Sequence, residues 1–429
     1  MSMTATVPYA AGRADSAAKQ AVVLLAILSL ANFFNFLDRV LFSVMLEPMK
    51  ADLGLSDTQM GLAGGMVFAV FYGGACLVMG RLADTRSRVS TLSWAMALWS
   101  VASAACGVIT GFLQLVAARA AVGVGVSACS PCSQSLIADT FPPERRSLAL
   151  ATYSGIGTIG TLVGTVAGGL ISQSFGWRTA YVILAVPSLL IVPLVFLLAR
   201  EPRRGAFDEG SLGRIGWLDS VKSLLSEKTA VLVLLGLPCL MFAAGAGTWI
   251  PAYVQRAHGA TQAEIGTHVG ASLGLGIVLG TLAGGVIVNF LRKRSASWEF
   301  LWPAVASGAS VPLLLAFYLA GTTSIAYPLL FCAYFVAGSS FGPALACMIA
   351  SSRPETRGTM AALGVLGSSL LAYGFGPSAI GVASDLLISA GFGEADGESL
   401  RYALIGALAF PLAATAFYVA AARSHAARA

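Results

Sequence analysis

The chain has 429 residues, of which 57% are hydrophobic and 11% charged, with a mean hydropathy of +0.79. Soluble domains carry about a quarter charged residues, so this composition excludes a water-soluble fold, which would lack the polar side chains to cover its surface. The net charge of +6 is not a nucleic-acid footprint, because the basic residues lie in short loops between apolar runs.

In chain order, apolar stretches long enough to cross roughly 30 Å of hydrocarbon fall near 21–46, 58–80, 89–111, 113–138, 147–173, 178–199, 229–255, 264–290, 299–320, 324–350, 358–384 and 401–423. The first is too long for a signal-peptide core and lacks a small-residue cleavage site, so it is expected to remain as a span. The 48 glycines suit membrane helices that pack through small faces. The expectation is an all-α membrane protein of twelve transmembrane helices in two pseudo-symmetric six-helix bundles.

Twelve spans place both termini on one side. Most lysines and arginines fall in loops on that same side, which marks it as cytoplasmic by the positive-inside rule. The expected location is a multi-pass position in a bacterial-type inner membrane. One longer charged segment, 200–228, contains Pro202, Gly205, Gly210 and Gly213 and reads as a cytoplasmic linker. It divides the chain into an N-terminal bundle, 1–199, and a C-terminal bundle, 229–429.

The seven cysteines (76, 106, 129, 132, 239, 332 and 347) all lie in apolar segments and are expected to be free thiols. Cys129 and Cys132 form a CxxC inside the fourth span with no second pair to match it, so buried packing is favoured over zinc or redox chemistry. No metal site and no cofactor are expected.

The halves repeat one another. Ser56-Asp57-Thr58-Gln59 opens the second span and Thr261-Gln262-Ala263-Glu264 the eighth; both are capping boxes, about 205 residues apart. Gly80 and Gly285 close those spans at the same shift. Pro143-Glu144-Arg145-Arg146 after the fourth span is echoed by Pro354-Glu355-Thr356-Arg357 after the tenth. Three signals in one order point to parallel six-helix repeats, a known transporter construction.

These residues resemble the major facilitator superfamily over essentially the whole chain. Gly80, Asp84 and Arg88 match the superfamily's G-x-x-x-D-x-x-G-R loop, with Ser87 in place of its second glycine. The resemblance implies that Gly80, Asp84, Arg86 and Arg88 form a cytoplasmic gate that clamps the two halves together when the carrier opens outward. Residues 115–125 around Arg119 are similar to the superfamily's fourth-helix motif, whose arginine serves a proton or substrate site. Gly155, Gly157, Gly160, Gly164 and Gly168 resemble the small-residue face of its fifth helix. Asn35-Phe-Leu-Asp38-Arg39, the segment from Trp249 through Tyr253 and Arg256 to Gly259, and Gly374-Phe-Gly376-Pro377 with Ser384-Asp385 are closer still to the Spinster-like branch. That branch includes lysolipid and sphingolipid transporters. Val126 stands where it usually has a glutamate, so a proton role resting on that glutamate does not carry over.

An ionisable side chain inside a span costs at least a few kcal/mol and is a functional candidate by default. Asp38 lies about 12 Å from the outer end of the first span and Arg119 about 9 Å into the fourth, at 1.5 Å per residue, so the two are expected to meet at one level. The proton or substrate candidates are Asp38, Arg39 and Arg119, with Asp38 as proton or cation acceptor and Arg119 as its partner or as an anion anchor. A purely structural ion pair is the alternative. Asn35, Trp249 and Tyr253 are candidates for lining the cavity, although aromatics near a span end more often anchor at the membrane interface. His258 and His268 lack metal-ligand spacing and read as surface residues. Asp385 is expected to end the eleventh span on the outer side.

The function expected is alternating-access secondary transport by a monomer, proton-coupled, of an anionic or zwitterionic amphiphile such as a lysolipid. An organic-anion uptake carrier and an uncoupled facilitator stay open. A membrane enzyme would need clustered carboxylates, histidines or a nucleophile with its base at one depth, and the three scattered histidines do not supply that. Residues 200–228 are too short for a soluble output domain.

Overall fold

The computed structural model describes residues 8–204 and 217–426, and the regular elements among them are all helical. Eleven helices are long and apolar enough to cross a membrane. One of them, Pro143–Leu198, runs for 56 residues, about 84 Å at 1.5 Å per residue and more than twice the hydrocarbon core. Gly176 accounts for the length. Its backbone leaves the helix at φ 79°, ψ 162°, where a Cβ would be strained, so two spans meet there. The twelve spans are α1 (Pro8–Leu53), α2 (Asp57–Thr85), α3 (Arg88–Cys106), α4 (Phe112–Thr140), α5 (143–175), α6 (177–198), α7 (Lys228–His258), α8 (Gln262–Arg292), α9 (Trp298–Leu319), α10 (Thr323–Ala350), α11 (Arg357–Ser389) and α12 (Glu398–Ala426). Of the segment 200–228, residues 205–216 lie outside the described residues; a short helix, Trp217–Ser226, precedes α7.

Both capping boxes form. Ser56 Oγ accepts from the Gln59 N–H at 3.3 Å while the Ser56 N–H donates to Gln59 Oε1 at 3.0 Å. Thr261 and Glu264 repeat the exchange at 3.2 and 2.8 Å. Each cap satisfies two helix-end donors reciprocally, the same solution at the start of α2 and of α8. A π-helical stretch follows in each, Ala63–Val67 and Ile265–Val269, and α11 holds a third, Ser369–Phe375.

Small residues set the packing. A Cβ added at Gly157, Gly160, Gly164 or Gly168 of α5 would fall 2.1–2.9 Å from Asn32, Phe33, Leu37 and Leu41 of α1, closer than real Cβ contacts come. The glycine face expected on α5 is thus the seam on which α1 lies. Gly155, at its terminal-side end, faces open space.

The same close approach joins the two bundles, but only toward one end. A Cβ at Gly61 or Gly65 of α2 would lie 2.6 Å from the carbonyl oxygens of Pro377 and Gly374 in α11. One at Gly169 of α5 would lie 2.3 Å from the Gln262 carbonyl oxygen in α8. Nearer the face that carries the termini, a Cβ at Gly73 meets only Leu366 Cδ1 at 3.9 Å, and one at Gly80 meets nothing within 4 Å. The bundles touch backbone to backbone far from the termini and diverge toward them.

Candidate functional site

Asp38 sits in α1 with 7% of its surface exposed, and Arg119 in α4 with 4%. Arg119 lies within electrostatic reach of the Asp38 carboxylate, but no ion pair within 4.0 Å joins them among the described residues. Asp38 Oδ1 accepts instead from Ser103 Oγ, and its Oδ2 is buried with no hydrogen-bond partner. Arg119 Nε is buried without a partner too; its guanidinium carbon lies 4.6 Å from the centre of the Phe42 ring and 4.9 Å from that of Phe68. The expected pair has become a carboxylate and an arginine at one level, each left partly unsatisfied.

Arg39 is half-buried, and its recorded neighbours are also rings. Its guanidinium carbon lies 5.5 Å from the ring centres of Phe68 and Tyr72, 5.8 Å from Phe36 and 5.7 Å from Tyr373. Tyr373 belongs to α11 and so comes from the other bundle. Asn35 is 3% exposed with Oδ1 unpartnered, one turn from Asp38. Deep in the first bundle there are therefore two guanidinium groups resting on aromatic faces, one carboxylate, and buried polar atoms without partners. Val126 is buried in the same apolar cluster as Trp99 and Met96.

Hydrogen bonds and ion pairs between the bundles gather at the end away from the termini. Arg256 of α7 grips Glu47 of α1 through two contacts of 2.7 and 2.9 Å and Asp57 of α2 through two more of the same lengths. Asp57, fully buried, also takes Lys50 Nζ at 2.7 Å and Ser384 Oγ at 2.6 Å. Lys50 pairs in addition with Glu394. The Asp385 carboxylate accepts the Asp57 and Thr58 N–H groups at 3.2 and 2.8 Å, capping the N-terminus of α2 from α11. Asp385 lies near the end of its span at this face, four residues before Ser389, and crosses to the other bundle there. The sequence reading missed this cluster. Charges at span ends are routine, and only the tertiary crossing brings these together; the one signal was that Arg256 lies inside a segment already singled out.

The loop after α2 makes its contacts within the N-terminal half of the chain in this conformation. Arg88, 1% exposed, bonds Glu201 Oε1 at 2.6 Å, Asp139, and the Pro202 carbonyl at 3.1 Å. Arg204 donates to the backbone carbonyls of Asp84 and Arg86. These contacts join the N-terminal bundle to the start of the linker, and the Asp84 and Arg86 side chains are exposed. With the bundles apart at this face, the loop ties α3 to the ends of α4 and α6. Burial alone would raise the Glu201 carboxyl, but Arg88, the Val89 N–H and the Ser87 hydroxyl together hold it below the usual carboxylate range. A depressed pKa contributes stability above the unfolded value, and that contribution disappears as the pH falls through the folded one. Glu201→Gln is therefore expected to lower the thermal midpoint at neutral pH and to flatten the loss the parent chain suffers below about pH 4. Melting curves of purified protein across pH check this, and parallel acid losses in both proteins would count against it.

Trp249 and Tyr253 are fully buried, which fits neither a side chain lining an open cavity nor an interface anchor in this conformation. Trp249 Nε1 donates to the Pro377 carbonyl at 2.9 Å, and the Tyr253 hydroxyl to the Tyr318 carbonyl at 2.8 Å. Both satisfy their polar atoms inside the C-terminal bundle rather than at a wet interface. His268 is exposed and stacks on Tyr327, with ring centres 4.8 Å apart, whereas His258 is half-buried with Nε2 unpartnered.

Residues 28–377 match the family model described as Major Facilitator Superfamily. An "MFS-type efflux pump" of Mycolicibacterium smegmatis is 28% identical over 411 residues, covering 93% of this chain and 94% of that protein. The mouse "Sphingosine-1-phosphate transporter SPNS2" is 28% identical over 385 residues, 84% of this chain and 69% of its own length. Among solved structures, a bacterial homolog of the human lysosomal transporter Spinster, in an inward-facing and unoccupied conformation, superposes with a TM-score of 0.85. It is 25% identical and covers 94% of this chain and 97% of that one.

Proposed function

This chain belongs to the major facilitator superfamily, as a Spinster-like transporter rather than an enzyme, and on that premise we propose that it is a proton-coupled carrier of an anionic or zwitterionic amphiphile such as a lysolipid. It works as a monomer in a bacterial-type inner membrane with both termini cytoplasmic, an orientation supported by the loop arginines and lysines. The bundles 1–199 and 229–429 rock about the linker 200–228. In this orientation the described conformation is sealed on the outer side by Arg256 and its partners and open to the cytoplasm. Gly80, Asp84, Arg86 and Arg88 form the inner gate that meets the C-terminal bundle once the outer side opens.

One observation carries this reading: the deep charges do not balance. Arg39 and Arg119 lie on aromatic faces without an ion pair among the described residues, against the single carboxylate of Asp38. An unpaired buried charge is costly, and a substrate anion seated between the arginines offsets that cost. Asp38, with Oδ2 unpartnered, takes the proton that changes its attraction to Arg119 between states. The amphiphile is supported by the SPNS2 relative, a sphingosine-1-phosphate transporter by name.

A second reading, an organic-anion uptake carrier or uncoupled facilitator, rests on Val126, since that apolar core position offers no second carboxylate for coupling. Reconstitution into liposomes with labelled lysolipid and with small organic anions, each with and without a pH gradient, separates the two. Lysolipid movement accelerated at least severalfold by the gradient is the expected result. Carboxylate uptake without lysolipid movement would overturn the amphiphile assignment, and transport indifferent to the gradient would overturn the coupling.

A further inference from the structure

Arg39 occupies an unusual place for an arginine. Four aromatic rings, those of Phe36, Phe68, Tyr72 and Tyr373, have their centres 5.5–5.8 Å from its guanidinium carbon, all within the range at which a ring face attracts a cation. Phe68 and Tyr72 stack on one another with centres 5.7 Å apart, so two walls of the enclosure support each other. Clusters of rings around one point are the protein solution for holding an ammonium group.

The enclosure is assembled from both bundles. Tyr373 lies in the π-helical stretch of α11, next to Gly374, whose carbonyl oxygen would be 2.6 Å from a Cβ on Gly65. The Tyr373 ring, one residue from that backbone crossing, lies over Arg39. A motion that opened the outer end would draw α11 away from α2 and remove one wall.

We infer that Phe36, Phe68, Tyr72 and Tyr373 form a cation subsite, filled by Arg39 in the empty carrier and taken over by the ammonium group of a zwitterionic substrate. This rests on the proposed reading of an anionic or zwitterionic substrate and names the second half of its headgroup. The exchange conserves charge: the ligand's ammonium replaces the guanidinium among the rings, and the displaced Arg39 turns with Arg119 onto the ligand's phosphate or carboxylate. A ligand with a cation but no anion gives Arg39 nothing to leave for. A ligand with an anion but no cation leaves the rings facing an empty space.

Two matched ligand pairs test this by equilibrium binding to the purified full chain. One is lysophosphatidylcholine against lysophosphatidic acid of the same acyl chain; the other is the soluble pair glycerophosphocholine against glycerol phosphate. The choline member of a pair is expected to bind about tenfold more tightly or better. Tyr373→Phe should keep that preference and Tyr373→Leu should erase it, with the thermal midpoints of both variants showing that they fold. Arg39→Met should in addition strengthen the binding of choline itself, because the plug is gone; a merely structural role for the rings predicts no such gain. Preference in the soluble pair with no binding of either lysolipid would retain the subsite and reject the amphiphile reading. Equal affinities within both pairs, or a preference that survives Tyr373→Leu, would overturn the subsite.

Discussion

Replacing Arg256 with methionine is expected to open the end of the molecule opposite the termini. Arg256 bonds Glu47 and Asp57 through four contacts of 2.7–2.9 Å, and its side chain is 4% exposed. Removing one partner of a buried ion pair costs about 3–5 kcal/mol, because the other charge stays buried without it. Lys50 and Ser384 still hold Asp57, so the lower figure applies. A loss of about 3 kcal/mol from one of two states shifts their ratio about 100-fold. Spin labels on cysteines introduced at the exposed positions Ala51 and Ala395, with the native cysteines replaced, would report the change as a longer distance between α1 and the segment before α12. An unchanged distance distribution would show that the glycine crossings alone hold the seal. Arg256→Lys, which keeps the charge but loses the fork that binds two carboxylates at once, should lie between.

Asp38→Asn is expected to abolish transport driven by a pH gradient while leaving the chain folded. Asparagine keeps the size of the side chain and still accepts from Ser103, but it neither carries charge nor takes a proton. The electrostatic pull of Asp38 on Arg119 then becomes constant through the cycle. Gradient-driven accumulation should fall by about tenfold or more, while exchange of labelled for unlabelled substrate, which needs no net proton movement, should persist. Gradient-driven uptake at the parent rate would move the coupling elsewhere. Loss of both uptake and exchange with the melting temperature intact would make Asp38 a substrate ligand rather than a proton acceptor.

What the sequence carried depended on how local each signal was. The order of the spans, the capping boxes at Ser56 and Thr261 and the glycine face of α5 from Gly157 to Gly168 are encoded within a turn or two, and each is found where the pattern places it. The depth of Asp38 and Arg119 follows from counting residues along two helices, so their common level was legible. Their partners were not. Phe42, Phe68 and Tyr373 come from three helices, and no spacing rule predicts that a guanidinium will rest on a ring rather than on a carboxylate eighty residues away. The seal was hidden for a related reason. Glu47, Lys50, Asp57 and Arg256 stand at span ends, where charges ordinarily meet water, and what buries them is the approach of α2 to α11 over bare glycine backbone. The loop from Gly80 to Arg88 was recognisable as a motif, yet which surface it holds depends on conformation, a property that one sequence leaves open.

The π-helical stretches in α2, α8 and α11 bear on phase. A π turn inserts one residue into a helix, so everything beyond it is rotated by about 100° relative to an uninterrupted α-helix. In α11 the rotation falls between Ser368 and Gly376. On its far side Ser378, Ser384 and Asp385 meet α2, while Tyr373 within it is aimed at Arg39. A helix of uniform pitch would present the seal and the ring to different neighbours. The added residue brings them into alignment on one facing helix, so α11 carries the contacts at the end away from the termini and the ring over Arg39 in a single rotational setting.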